Sequence, residues 1–194
     1  MPTKQWNGEA WRTHARSMMT WGAAALLILL LPLLAMQITD EVKWGLADFV
    51  LAGTLVVGAG LIYELAVRNT GSRAYLAGIG VALAAALLLI WINLAVGIIG
   101  SEDNPANLFY GAVLLVATIG SLISRFRPAE MARTMSGAGL VQAMIGIVAL
   151  AAGYGQTSPS FPEAIIFLTA FFTGMWLLSA HLFRKAAREQ ERAS

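Results

Sequence analysis

The chain has 194 residues, 58% hydrophobic and 12% charged, with a formal net charge of +2, a pI near 9.2 and a mean hydropathy of +0.68. Soluble domains carry about 25% charged residues, so this composition excludes one, and its apolar content excludes a disordered chain. Cysteine is absent, which removes disulfide scaffolds, thiolate metal sites and cysteine nucleophiles.

A membrane-crossing helix needs about 20 apolar residues. Runs at 21–38, 45–67, 74–99, 108–124, 137–152 and 164–183 therefore predict six spans within a single transmembrane domain, residues 1–194, an all-α polytopic bundle. Stretches such as 26–34 and 81–90 are uninterrupted, unlike the alternating strands of a membrane barrel.

In chain order, Trp6, Trp11, Arg12, His14 and Arg16 suggest an interfacial segment, followed by a run too long for a signal peptide and expected to stay as an anchor, kinked at Pro32. In the second span Asp48 suits the positive end of the helix dipole, and Glu64 stands four residues before Arg68, the spacing of a helical ion pair. The third span carries Asn93 and the fifth Gln142, the two amides at membrane depth. Between spans three and four, Asn104 followed by Pro105 is a helix start signal. After the sixth span, the basic stretch 184–192 predicts a solvated helical extension. Tyr63, Tyr75, Tyr110 and Tyr154 fall at span ends, as expected of headgroup-level aromatics, whereas Trp91 and Trp176 lie deeper and read as packing residues.

Every Lys and Arg except Lys43 falls on one side of this six-span layout, while Asp40, Glu41, Asp48, Glu102, Asp103 and Glu163 fall on the other. Basic residues are retained on the cytoplasmic side, so both termini are expected there. The high pI reflects this segregation and not a nucleic-acid surface. Each pair of spans turns in an acidic loop and returns to an arginine, which suggests three helical hairpins as pseudo-repeats. Small-residue pairs four apart (Thr54/Gly58, Gly80/Ala84, Gly120/Ser124, Gly139/Ala143, Ala170/Gly174) predict close helix contacts.

Candidate chemistry is sparse. Asn93 and Gln142 read as interhelical hydrogen-bonding groups or as the lining of a solute path. No acid sits at mid-span, and no nucleotide-binding, nucleophile or two-histidine metal motif occurs in context. The loop residues Glu102, Asp103, Asn104 and Asn107 offer oxygens for weak attraction of hard cations such as calcium or magnesium, without a spaced metal-binding loop. No resident metal, cofactor or enzymatic activity is expected. The segment Gly100-Ser101-Glu102-Asp103-Asn104-Pro105-Ala106-Asn107 and the six-span layout resemble a family of small bacterial inner-membrane proteins, a likeness that implies no activity. The three-hairpin layout is similar to the HdeD acid-resistance family in span number and length only. The expected role is a non-catalytic accessory or interaction module of the bacterial cytoplasmic membrane, in contact with lipid and with a second copy or another membrane protein. A passive channel or small-solute transporter is the alternative.

Overall fold

The computed structural model describes residues 26, 29–30, 32–34, 36–38 and 44–193, leaving aside the side chains of residues 68 and 69. Among them the chain is helical, without a strand: α1 (Leu46–Asn69), α2 (Arg73–Ala95), a short 3-10 helix (Pro105–Phe109), α3 (Tyr110–Ile123), α4 (Pro128–Ala151) and α5 (Glu163–Ala193). Five segments are long and apolar enough to cross a membrane: Leu46–Val67, Arg73–Ala95, Pro105–Ile123, Pro128–Ala151 and Glu163–Ala193. This chain is therefore an α-helical membrane protein. The first expected span, the interfacial segment before it, and Asp40 and Glu41 lie wholly or largely outside the described residues.

The chain divides into two compact units, Met1–Arg68 and Asn69–Ser194. In the first, α1 starts where the Asp48 carboxylate accepts the Gly45 N–H at 2.7 Å, tying down a free backbone donor at the positive end of the helix. Trp44 meets Phe49 edge to face at 5.3 Å across the same turn. The Glu64–Arg68 spacing ends on a side chain outside the described set.

In the second unit, α5 packs against α2 and most extensively against α4, and α3 packs against α4. The α4/α5 register is antiparallel. A Cβ built on Gly139 would lie 3.3 Å from Trp176 Cβ, and one on Gly146 would lie 2.8 Å from Thr169 Cβ. Small residues let the backbones approach, which is how helices associate where lipid removes any hydrophobic advantage of contact. Gly120 likewise receives Thr134 of α4 at 2.5 Å from its would-be Cβ, and Gly78 receives the Phe183 ring at 3.3 Å. The α2/α5 contact is completed by Ser179, whose hydroxyl donates to Gly78 O at 2.8 Å, and by Tyr75 edge to face with Phe183 at 5.2 Å. A Cβ on Gly174 would meet open space. The small-residue pattern thus marks real contacts at Gly120 and Gly139 but overlooks Gly78 and Gly146.

Of the expected hairpins, α4 and α5 pack along their length. The chain-adjacent pair α2 and α3 does not, each lying instead against one member of the α4/α5 pair. Element bounds also differ from the hydropathy runs. The third expected span, 74–99, stops as a helix at Ala95, because Gly97 takes a positive φ of 72° that ends the α-helical path. The fifth starts nine residues early at Pro128, since proline is well placed in a first turn and Glu130 suits that end of the dipole. The sixth runs unbroken through the basic tail to Ala193, as the extension at 184–192 predicts.

Candidate functional site

Two polar constructions stand out in an otherwise apolar unit, one in the loop end and one inside the helices. The loop after α2 turns at Gly97 and Gly100, whose φ values of 72° and 77° are open to glycine at little cost. Asn107 holds it together. This residue is only 7% exposed, and its Oδ1 accepts N–H groups from Ile98 at 3.0 Å and Ile99 at 2.8 Å. Its Nδ2 donates to Ser101 O at 2.7 Å and to Ile99 O at 3.4 Å. Asn104 Oδ1 accepts the Ala106 N–H at 3.0 Å, with Pro105 in the first turn, so the expected helix start is present but opens a 3-10 turn. The 3-10 turn leads directly into α3.

This geometry places the four loop residues expected to attract cations. Glu102 and Asp103 are exposed, whereas the side-chain oxygens of Asn104 and Asn107 each accept backbone N–H groups. Among the described residues no three His, Cys, Asp or Glu side chains come together as a metal-binding group.

The second construction is a polar seam between α4 and α5. Gln142 is 0% exposed, and neither its Oε1 nor its Nε2 has a hydrogen-bond partner in the protein. It stands three residues on from Gly139 and four before Gly146, so the antiparallel register sets it level with Thr173 of α5. Thr169, Thr173 and Trp176 lie on one face of α5 at helical spacing, and the Thr169 Oγ1, Thr173 Oγ1 and Trp176 Nε1 atoms are also buried without partners. Trp176 is itself 0% exposed. At the loop end of the seam the buried Tyr110 hydroxyl, from α3, lies beside the Thr169 side chain. Each such unmatched group costs about 1–3 kcal/mol in a protein interior.

Asn93, the other expected amide, behaves differently. Its Nδ2 donates to Leu89 O of its own helix at 2.8 Å, and its buried Oδ1 has no partner. The structure does not bring Asn93 and Gln142 into one site: Gln142 belongs to the α4/α5 seam, and Asn93 satisfies its donor within α2. Sequence reading singled out Gln142 and passed over Thr169, Thr173 and Tyr110. The threonines repeat at i and i+4 with Trp176 at i+7, which marks a shared face of α5, but nothing local says that this face meets Gln142. Tyr110 is only 2% exposed and Tyr75 only 8%, so two tyrosines expected at the headgroup level turn inward. The Tyr75 hydroxyl donates to Phe126 O at 2.7 Å.

At the arginine end, Arg125 and Phe126 both take positive φ, 47° and 58°, in the turn joining α3 to α4. On α5, His181, Arg184, Lys185, Arg188 and Arg192 line a basic face, where Arg184 Nη2 donates to Ser136 Oγ at 2.8 Å and Glu189 accepts from Ser72 at 3.1 Å. Between α3 and α4 a groove of about 300 Å³ is lined by Phe109, Ala112, Val141, Met144, Ile145 and Val148 among others, nearly all of it apolar. No family model, curated protein or solved structure matches the chain.

Proposed function

We propose that this protein is a non-catalytic, multi-pass component of the bacterial cytoplasmic membrane that works as an interaction module, with both termini in the cytoplasm. The observation that carries the reading is the apolar groove between α3 and α4, within two membrane-spanning segments. Around it Leu140, Met144, Ile147 and Val148 of α4 are each more than half exposed. In lipid an apolar face gains little from being covered, so a groove between two spanning helices is a place where another helix packs by shape. The segregation of bases from acids along the chain supports the orientation.

A second reading, a small-solute path within the bundle, draws on Gln142 and its partnerless amide. One set of experiments separates the two. The chain has no cysteine, so single-cysteine variants are clean probes. Met144→Cys is expected to cross-link to a neighbouring polypeptide in native membranes, while Leu177→Cys, a comparably exposed site on α5, is not. Purified protein in phosphatidylethanolamine/phosphatidylglycerol vesicles is expected to leave glycerol and potassium leakage at the protein-free rate. Equal cross-linking at both sites, with leakage that rises in wild type and falls in Gln142→Leu, would replace the module by a channel.

A further inference from the structure

One stripe of α5 changes chemistry along its length while keeping its direction. Phe167, Phe171, Gly174 and Leu178 are exposed and follow one another at steps of four, three and four, the spacing of a single helix face. The same steps continue through His181, Lys185, Arg188 and Arg192, which are exposed as well. On the opposite side of α5, Phe172, Trp176, Ser179, Phe183 and Ala186 are buried, with Trp176 against Gly139 of α4 and Phe183 against Gly78 of α2. The stripe therefore faces away from the helices on which α5 packs.

The change of chemistry falls at the membrane boundary. The 20 residues Ala164–Phe183 carry no Asp, Glu, Lys or Arg. As a helix they extend about 30 Å, the thickness of a hydrocarbon core. Arg184, Lys185 and Arg188 then fall in the headgroup layer, about 5–8 Å deep on each side. Arg192 starts farther out, but helical side chains lean toward the N-terminus of their helix, here toward the bilayer. His181, Arg184, Lys185, Arg188, Glu189 and Arg192 line a recess of about 250 Å³. Four cationic side chains face one carboxylate in it, and Glu189 accepts from the Ser72 hydroxyl at 3.1 Å. Arg184 is steadied by its bond to Ser136 Oγ at 2.8 Å, which uses one guanidinium N–H and leaves the others to meet another acceptor. Glu130, at the same end of α4, is paired with Arg133 at 2.7 Å.

A ligand that matches both halves of the stripe is an amphiphile with an anionic head. A phosphodiester offers acceptor oxygens at the level of the bases, and guanidinium groups bind such oxygens through paired, charge-assisted bonds. Along the apolar half, Gly174 leaves a notch between Phe171 and Leu178, since a Cβ there would meet nothing within 4 Å. A soluble phosphate would use the basic half only. We propose that this stripe of α5 is a binding site for an anionic phospholipid, with its phosphate among Arg184, Lys185 and Arg188 and an acyl chain over Gly174. The site goes beyond the interaction-module reading and does not depend on it, because it requires only that α5 crosses the membrane and ends at a leaflet that contains such lipid.

Lipid titration of the purified full-length protein in a neutral detergent tests it, with bound lipid counted by native mass spectrometry. Phosphatidylglycerol and phosphatidylcholine of the same acyl chains are compared. Each base beside an anionic headgroup is worth about fivefold in affinity, so phosphatidylglycerol is expected to bind about tenfold or more tightly than phosphatidylcholine. The double variant Lys185→Gln with Arg188→Gln is expected to lose about tenfold or more of that affinity. Arg125→Gln with Arg127→Gln removes the same charge from exposed positions of the α3/α4 turn, and is expected to change it by less than about twofold. Equal binding of the two lipids by the wild-type protein would overturn the proposal. Equal losses in the two double variants would overturn it too, by showing a diffuse attraction to the whole basic end. Displacement of the lipid by glycerophosphoglycerol, the headgroup without acyl chains, at the lipid's own concentration would overturn it in favour of a soluble phosphate ligand. The wild-type comparisons need no variant and decide alone where a variant does not fold.

Discussion

Gly146 and Gly174 occupy spanning helices that pack on each other, yet their surroundings are opposite. At Gly146 a methyl group would fall 2.8 Å from Thr169 Cβ, an atom anchored directly to the α5 backbone, so the neighbour cannot swing away. At Gly174 it would meet nothing within 4 Å. Overfilling a close-packed contact costs about 1–3 kcal/mol. Gly146→Ala is therefore expected to lower the thermal midpoint in detergent clearly, and Gly174→Ala to leave it unchanged; equal midpoints would show that α4 and α5 do not meet at this register. Asn107 makes a second residue-scale case. Its replacement by alanine strands the Ile98 and Ile99 N–H groups in a buried loop, at about 1–3 kcal/mol for each group left without water. Asn107→Ala is expected to destabilise more than Asn104→Ala, which frees one N–H in a half-exposed turn, and paired thermal melts compare them directly. The residue type of Asn107 was legible as a candidate oxygen ligand. Its work as a backbone clamp was not, because four bonds to residues 98–101 depend on a loop path that only the two positive-φ glycines produce.

At the scale of elements, hydropathy marks where chain is apolar, whereas helix ends follow backbone geometry. The α3 helix alone, with 14 residues, reaches about 21 Å, and the five-residue 3-10 turn before it adds about 10 Å, which together match a hydrocarbon core of about 30 Å. The Asn104 cap and the Asn107 clamp thus complete a span that α3 would leave short. At the other end of α3 the chain must reverse before Pro128, and it does so through Arg125 and Phe126 in left-handed conformation. For a residue with a Cβ this costs on the order of 1 kcal/mol or more. The turn is held by the Tyr75 hydroxyl on Phe126 O and by the Phe126 N–H on Ser121 O. Arg125→Gly, which removes the Cβ penalty at an exposed position, is expected to raise the thermal midpoint by an amount corresponding to about 0.5–1 kcal/mol. Tyr75→Phe is expected to lower it by about 1 kcal/mol, the net worth of one hydrogen bond. Opposite signs in the same melting assay are the prediction, and two shifts of the same sign would contradict this account of the turn. The sequence pattern carried the helix existence and the Asn104 start, but not the left-handed pair, since neither Arg nor Phe signals that conformation.

For the whole molecule, charge segregation leads to a topology that reporter fusions can read. Fusions after residue 72, after residue 130 and at the C-terminus are expected to report cytoplasm, and fusions near residues 41, 103 and 158 the opposite side; an inverted or odd-numbered pattern would contradict the six-span reading. Composition and run length alone determined that the chain is helical and membrane-embedded, because backbone polar groups in hydrocarbon must be satisfied within each segment and only long apolar helices do this here. The i, i+4 small pairs at Gly120 and Gly139 likewise announced close contacts, and the basic tail announced the extension of α5. Tertiary structure alone decided which helices meet. It set α2 against α5 and α3 against α4, turned Tyr110 and Tyr75 inward, and aligned Gln142 with Thr173. The physical reason is that local sequence establishes which residues share a face of one helix, through a period of 3.6. The partner of that face is settled by shape, where the ring of Phe183 on α5 finds Gly78 on α2, a helix distant in the chain.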